Sequence, residues 1–149
     1  MKNITFQKLL LLSKVEKKAR IIEFDTKGIN VVLGDSRAGK TTFIRSLFYS
    51  IGCKTAQVKK EWKNAEVKSI LYLSVNNDSY KIVRDGSFFG IFDRNDNLLK
   101  AFSEVYLSDD SLSAYICNIL DYKLKLISYD SGREEHVNVQ NIFYFTRSI

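Results

Sequence analysis

The sequence predicts an α/β domain, with a mixed sheet that contains an antiparallel meander and two main helices. Three observations predict it: several runs of strand-forming residues separated by turn chemistry, one change to helical spacing straight after a glycine-containing stretch, and a second helical pattern late in the chain. The 149 residues are 45% hydrophobic and 27% charged, with seven glycines and no proline, which suits one packed core and a single domain over 1–149. Collagen-like, low-complexity and disordered classes are excluded by the same figures.

Residues 4–12 and 19–24 are rich in strand formers, and the polar stretch between them reads as the turn of a hairpin. Gly28 opens the run Ile29, Asn30, Val31, Val32 and Leu33, which has little room for a solvent face and predicts a central strand buried on both sides. From Thr41 the period becomes helical: Phe43, Ile44, Leu47, Phe48 and Ile51 share one face, Arg45, Ser46 and Ser50 lie opposite, and Gly52 is placed to stop the helix. Residues 53–66 have no clean period and read as a connection. Strands are expected over 67–75, 79–84 and 87–92, separated by Asn76-Asn77-Asp78 and Asp85-Gly86. Leu112, Tyr115, Ile116, Ile119 and Leu120 predict the second helix, with Ser108, Asp109 and Asp110 as its cap and first-turn charge. A further strand is expected over 123–129, and 141–145 is one more apolar run.

One motif carries the chemistry. Gly34, Asp35, Ser36, Arg37, Ala38, Gly39, Lys40 and Thr41 satisfy glycine, four residues, glycine, lysine, then serine or threonine, between an apolar run and an amphipathic helix. Such a loop wraps main-chain N–H groups around a polyphosphate, and a Cβ at Gly34 or Gly39 would obstruct its curvature or the close approach. Lys40 is expected to reach the terminal phosphates, Thr41 to give its hydroxyl to Mg²⁺, and the helix start, with Thr42 in its first turn, to add its positive dipole end. The expected cofactors are ATP and Mg²⁺, held by residues 34–42.

With that loop in place, the flanking residues resemble the N-terminal lobe of ABC-type ATPases of the SMC, RecF and RecN branch, SMC-like ATPases of bacterial defence and repair systems included. The resemblance is carried by the opening hairpin, Ile22-Glu23-Phe24, the run from Gly28 through Leu33, the loop, and Ile44-Arg45-Ser46-Leu47-Phe48-Tyr49. It is best over 4–52 and looser through Trp62, 70–75, Tyr80 to Arg84 and Phe89 to Asp93. It implies a P-loop NTPase lobe of a bilobed head that pairs with a second head on ATP, hydrolyses it with Mg²⁺ and couples the cycle to DNA. A complete head of that kind has an apolar strand ending in Asp-Glu and a Leu-Ser-Gly-Gly type loop. Ile119-Leu120-Asp121 and Leu107-Ser108-Asp109-Asp110 only approach these, and Gln140 is the nearest match to a metal-contacting glutamine. The expectation is therefore an ATP-binding lobe that stops at the lobe boundary, with hydrolysis dependent on a second lobe or partner head.

The remaining features are weighed against blander accounts. The 23 basic and 17 acidic residues leave +6, compatible with nucleic acid, nucleotide phosphates or anionic lipid. Lys14, Lys17, Lys18 and Arg20 would line a DNA-facing hairpin or simply blunt an edge strand. Lys54, Lys59, Lys60 and Lys63 surround Trp62, which alone reads as a packing anchor. Arg37 is a candidate phosphate or partner contact, and His136 in its polar stretch is given no role. The alternative function is a non-catalytic basic DNA-interaction module with a vestigial loop. A GTPase would need Asn-Lys-x-Asp and a later Asp-x-x-Gly, yet the spacing from Asp25 to Gly28 precedes the loop. A small-molecule kinase would need a lid of arginines that the isolated Arg133 and Arg147 do not supply. Cys53 and Cys117 are too few for a disulfide scaffold and imply reduced thiols in the cytoplasm. The apolar run 9–12 is too short for a membrane span, and no cleavage pattern follows it, so the N-terminus is expected to belong to the fold.

Overall fold

A computed structural model describes residues 2–53, 62, 64–103, 105, 110–121, 125–127 and 134–136. The elements are β1 (Ile4–Ser13), β2 (Lys18–Glu23), α1 (Lys40–Ser50), β3 (Val67–Val75), β4 (Asp78–Asp85), β5 (Phe88–Phe92), β6 (Leu98–Phe102), α2 (Leu112–Ile119), β7 (Lys125–Ile127) and β8 (Glu134–His136). Six strands form one sheet in the order β2-β1-β3-β4-β5-β6, and every neighbouring pair is antiparallel. β7 and β8 pair separately.

Turn chemistry sets the register of the meander. Val75 pairs with Asp78 across Asn76-Asn77, and Asp85 pairs with Phe88 across Gly86-Ser87. Each is a two-residue connection, and Asn76 (φ 54°) and Gly86 (φ 62°) hold the left-handed conformations that such hairpins need. The register then sends Ser69, Leu71, Leu73 and Val75 of β3 to the buried face, alternating with half-buried neighbours. Leu9, Leu71, Phe89 and Ile91 of the sheet join Leu47 and Ile51 from the α1 end and Leu112 and Ile116 of α2 in one core. Fully burying one such side chain contributes roughly 1.5–3 kcal/mol.

α1 buries Leu47 and Ile51 and half-buries Phe43 and Phe48 as its apolar spacing suggests, but its buried face is rotated to take in two serines expected on the opposite side. Ser46 and Ser50 are buried beside Leu47, while Ile44 is 41% exposed. The physical reason is that both hydroxyls are satisfied within the helix. Ser46 Oγ donates towards the carbonyls of Thr42 (3.0 Å) and Phe43 (2.7 Å), and Ser50 Oγ to that of Ser46 (2.8 Å). A satisfied hydroxyl loses little on burial, and a short side chain lets the helix approach closely. At the C-terminal end Gly52 (φ 88°) turns the chain, with its N–H bonded to Tyr49 and that of Cys53 to Phe48. A Cβ at Gly52 would sit 2.8 Å from Leu112 Cδ2, so this stop also brings α1 against α2.

Several expectations are corrected here. Residues 29–33 do not form a central strand: they lie outside the helices and both sheets, with Ile29 91%, Val31 70%, Val32 41% and Leu33 86% exposed. Their spacing records apolarity on both sides, but a strand also needs neighbours to take its main-chain hydrogen bonds, and no described segment supplies them. The described sheets are consequently antiparallel throughout rather than mixed. The α2 cap is Ser111, whose Oγ accepts from the Ala114 N–H at 3.3 Å. Strands β6 and β8 were not anticipated. Leu107, Ser108, Asp109, Gln140, the lysines at 54, 59, 60 and 63, and the run 141–145 lie outside the described residues.

Ser69 is fully buried, and its hydroxyl is the one enclosed side-chain polar atom without a hydrogen-bond partner among the described residues. Ser69→Ala removes that unsatisfied group, so stability should rise by about 1 kcal/mol. A urea titration checks this: the midpoint should increase with an unchanged m-value.

Candidate functional site

The phosphate-loop motif stands between two anchors. On the sheet side, the Phe24 N–H bonds to the Gln7 carbonyl at 3.0 Å, and the Phe24 ring lies 6.1 Å from Phe6 of β1 and 6.0 Å from Phe43 of α1. This aromatic column fixes the helix start relative to the strand that precedes the loop. Asp25 and Asn30 then close a turn on each other. The Asp25 N–H donates to Asn30 Oδ1 at 2.8 Å, Asn30 Nδ2 donates to the Asp25 carbonyl at 2.8 Å, and the Lys27 N–H donates to Asp25 Oδ1 at 2.9 Å. Sequence reasoning missed this turn, although an Asp and an Asn five positions apart around a glycine are its visible signal.

Within the motif, the Ala38 N–H bonds to the Asp35 carbonyl at 3.1 Å, and both Arg37 (φ 69°) and Gly39 (φ 90°) are left-handed. Gly39 is the N-cap of α1 and accepts the first helical bond from the Phe43 N–H at 2.9 Å, with no side chain capping the first turn. Lys40 reaches back over the loop: its ammonium donates to the carbonyl of Gly34 and, at 2.8 Å, to that of Asp35. The lysine thus ties the end of the motif to its beginning. Gly34, Asp35, Ser36, Arg37, Ala38, Gly39, Thr41 and Thr42 are all exposed, and Lys40 is half-buried. The motif residues are therefore together at the surface. The Thr41 hydroxyl makes no hydrogen bond among the described residues.

The two glycines serve different needs. At Gly34 a Cβ would lie 3.1 Å from Ala38 Cβ, so the curl leaves little room for a side chain there. At Gly39 a Cβ would meet nothing within 4 Å, and glycine answers only the φ of 90°.

Other candidates fall into packing roles or remain surface features. Trp62 stands edge-on to Tyr49 at 5.7 Å, and the Arg84 guanidinium covers the other aromatic neighbourhood, 3.4 Å from the Tyr49 centroid, while donating to the Tyr49 carbonyl. Trp62 is a packing anchor here. On the first hairpin, Lys14, Lys17, Lys18 and Arg20 are exposed, with Lys18 Nζ 3.3 Å from Glu16 Oε2. Burial pushes the Cys53 thiol up to about 12, partly opposed by the positive charge of Arg84, and burial also raises Cys117. Both shifts disfavour the thiolate, the form that reacts as a nucleophile. Among the described residues no three His, Cys, Asp or Glu side chains gather as metal ligands, and no helix is long and apolar enough to cross a membrane.

Two outcomes follow. Gly39→Ala should lower stability by about 1–2 kcal/mol through backbone strain alone, measured by chemical denaturation. Cys53 should resist alkylation by iodoacetamide at pH 8 in the folded chain, at least ~100-fold more slowly than after unfolding, followed by mass spectrometry. Its raised value also makes it a stabilising group below the ordinary thiol range, a contribution lost as pH climbs from there towards 12.

No family model matches the chain. It is 30% identical over 97 residues to the Lamassu protein LmuB of Bacillus cereus (strain VD014), covering 62% of this chain and 16% of that protein. The chain therefore spans about one sixth of the length of the curated relative it matches.

Proposed function

We propose that the chain is the ATP-binding N-terminal lobe of an SMC-like ATPase that acts in bacterial defence. The observation that supports this reading best is the closure of the motif by its own lysine. Lys40, the first residue of α1, bonds the carbonyls of Gly34 and Asp35. This holds the loop curled at the N-terminus of an uncapped helix, where an anion meets a cation and the positive end of a dipole. The narrow space at Gly34 and the left-handed turns at Arg37 and Gly39 fit a polyphosphate cradle. In this reading Lys40 contacts the terminal phosphates, residues 34–42 supply main-chain donors, and Thr41 contributes its exposed hydroxyl to Mg²⁺. Bound Mg²⁺ would neutralise phosphate charge and share its oxygens with that hydroxyl.

The similarity to a Lamassu protein points the same way as the sequence resemblance, to the defence members of the SMC-like branch. Its limited extent fits a lobe that works with more polypeptide than these 149 residues, either a second lobe or a partner head. The 149 residues contain no apolar run ending in Asp-Glu, so the function assigned to this lobe is nucleotide holding, with turnover assigned to the completed assembly. DNA is the expected macromolecular target of such an assembly.

Isothermal titration with ATP and Mg²⁺ tests the reading. Lys40→Ala should raise the Kd at least about tenfold, because one charge-assisted hydrogen bond contributes roughly 1.5–3 kcal/mol, with an unchanged circular dichroism spectrum. Thr41→Val should weaken the dependence on Mg²⁺ more than the binding measured without it. Equal affinity in the wild type and Lys40→Ala would overturn the assignment.

A further inference from the structure

The phosphate-loop motif carries two cations, and the structure treats them differently. The Lys40 ammonium is engaged, bonded to the carbonyls of Gly34 and Asp35. Arg37 is exposed, and its guanidinium has no hydrogen bond, ion pair or ring contact among the described residues. The carboxylates of Glu16, Asp85, Asp96 and Asp110 are held by lysines, whereas Asp35, two positions away in the same loop, forms no ion pair with Arg37. Within residues 34–42 the charge of Asp35 cancels that of Lys40, so the net positive charge of the loop is the one Arg37 brings.

Arg37 also occupies a costly place in the backbone. The Ala38 N–H bonds to the Asp35 carbonyl at 3.1 Å, which closes a four-residue turn with Arg37 in its third position. Its φ of 69° is left-handed, while that of Ser36 before it is not. This is the pattern of a type II turn, whose third position glycine fills without strain and an L side chain does not. A strained residue persists where the surroundings or the task of the site require it. Packing and pairing among the described residues give no account of an arginine there, which leaves the chemistry of its side chain towards a ligand.

We propose that Arg37 is the specificity residue of the loop: its guanidinium grips the outermost phosphoryl group of a nucleoside triphosphate and sets the preference for it over a diphosphate. This rests on the phosphate-loop reading above. The main-chain donors of the curl and the start of α1 serve the phosphates that the loop encloses. A guanidinium adds a planar fork that matches two oxygens of one phosphoryl group, and it keeps its charge throughout the neutral range. A diphosphate lacks the group that the fork would hold and gains little from it. Because Lys40 starts out engaged with two carbonyls, Arg37 is the cation of the motif that is free to meet an incoming anion first.

Isothermal titration with Mg²⁺ and either ATP or ADP tests this on the wild type, Arg37→Gly and Arg37→Gln. Both variants should bind ATP at least about tenfold more weakly, the loss of one charge-assisted hydrogen bond. Their ADP affinity should change by less than about threefold, so the preference for ATP falls. Arg37→Gly also relieves the left-handed strain, and its urea midpoint should be no lower than that of the wild type, which separates lost binding from lost folding. Undiminished ATP affinity in both variants, or an equal loss for ATP and ADP, overturns the proposal. So does a loss confined to one variant, which would place the effect in the backbone rather than in the guanidinium. Lys40→Ala distinguishes the two readings. Equal ATP affinity in the wild type and Lys40→Ala overturns the phosphate-loop reading and this proposal with it, whereas a loss in Lys40→Ala that the Arg37 variants do not share overturns the role of Arg37 alone.

Discussion

The placement of Phe24 between Phe6 and Phe43 is the constraint on which the rest of this molecule turns. The chain must leave the sheet after β2, travel through a turn and a run that lies outside both described sheets, and still deliver a helix start to a defined position. A single aromatic column does this by bridging the first strand to the first turn of α1. That bridge adds a contact at the start of the helix to the core packing that holds the rest of α1 on the sheet. The Lys40 tie then acts over a much shorter range and closes a curl whose ends are already near each other.

Packing of α1 shows how polar residues can be core residues when their hydrogen bonds are internal. Ser46 and Ser50 return their hydroxyls to helix carbonyls, and the face they form presses on the sheet as closely as alanine would. Arg84 completes the other end of the helix, where its guanidinium lies over Tyr49 and Phe89 and donates to the Tyr49 carbonyl. The helix is therefore fastened by aromatic contact at its start, close serine packing along its length, and a cation at its negative end.

Much of the fold was legible because hairpin chemistry is local. Asn76-Asn77 and Gly86-Ser87 form two-residue turns, and β3 alternates cleanly. The phosphate-loop residues were legible as a pattern of residue types, and the structure adds the curl of their backbone. What was not legible depended on long-range context. The run at Ile29–Val31–Leu33 has the composition of an interior strand, but composition cannot say whether neighbouring strands are at hand. The rotation of α1 escaped for a similar reason: a period of apolar residues counts Ser46 and Ser50 as polar, whereas burial responds to whether their hydroxyls are satisfied. β6 was missed because its Leu98, Leu99 and Lys100 alternate poorly, the register slipping between Ile91 and Phe92.

That slip has a use. Among the described residues the large sheet ends at β2 and β6, and a regular margin is a template on which further molecules can stack into filaments. At β2 the template is blunted by the exposed charged side chains of Lys18, Arg20 and Glu23, which pairing would strip of water. At β6 the exposed Leu98 and Leu99 carry no charge and Lys100 is paired with Asp110, and the extra residue opposite β5 kinks the margin. One rim is thus blunted by hydrated charge and the other by irregular shape, two separate ways of making a sheet edge a poor template.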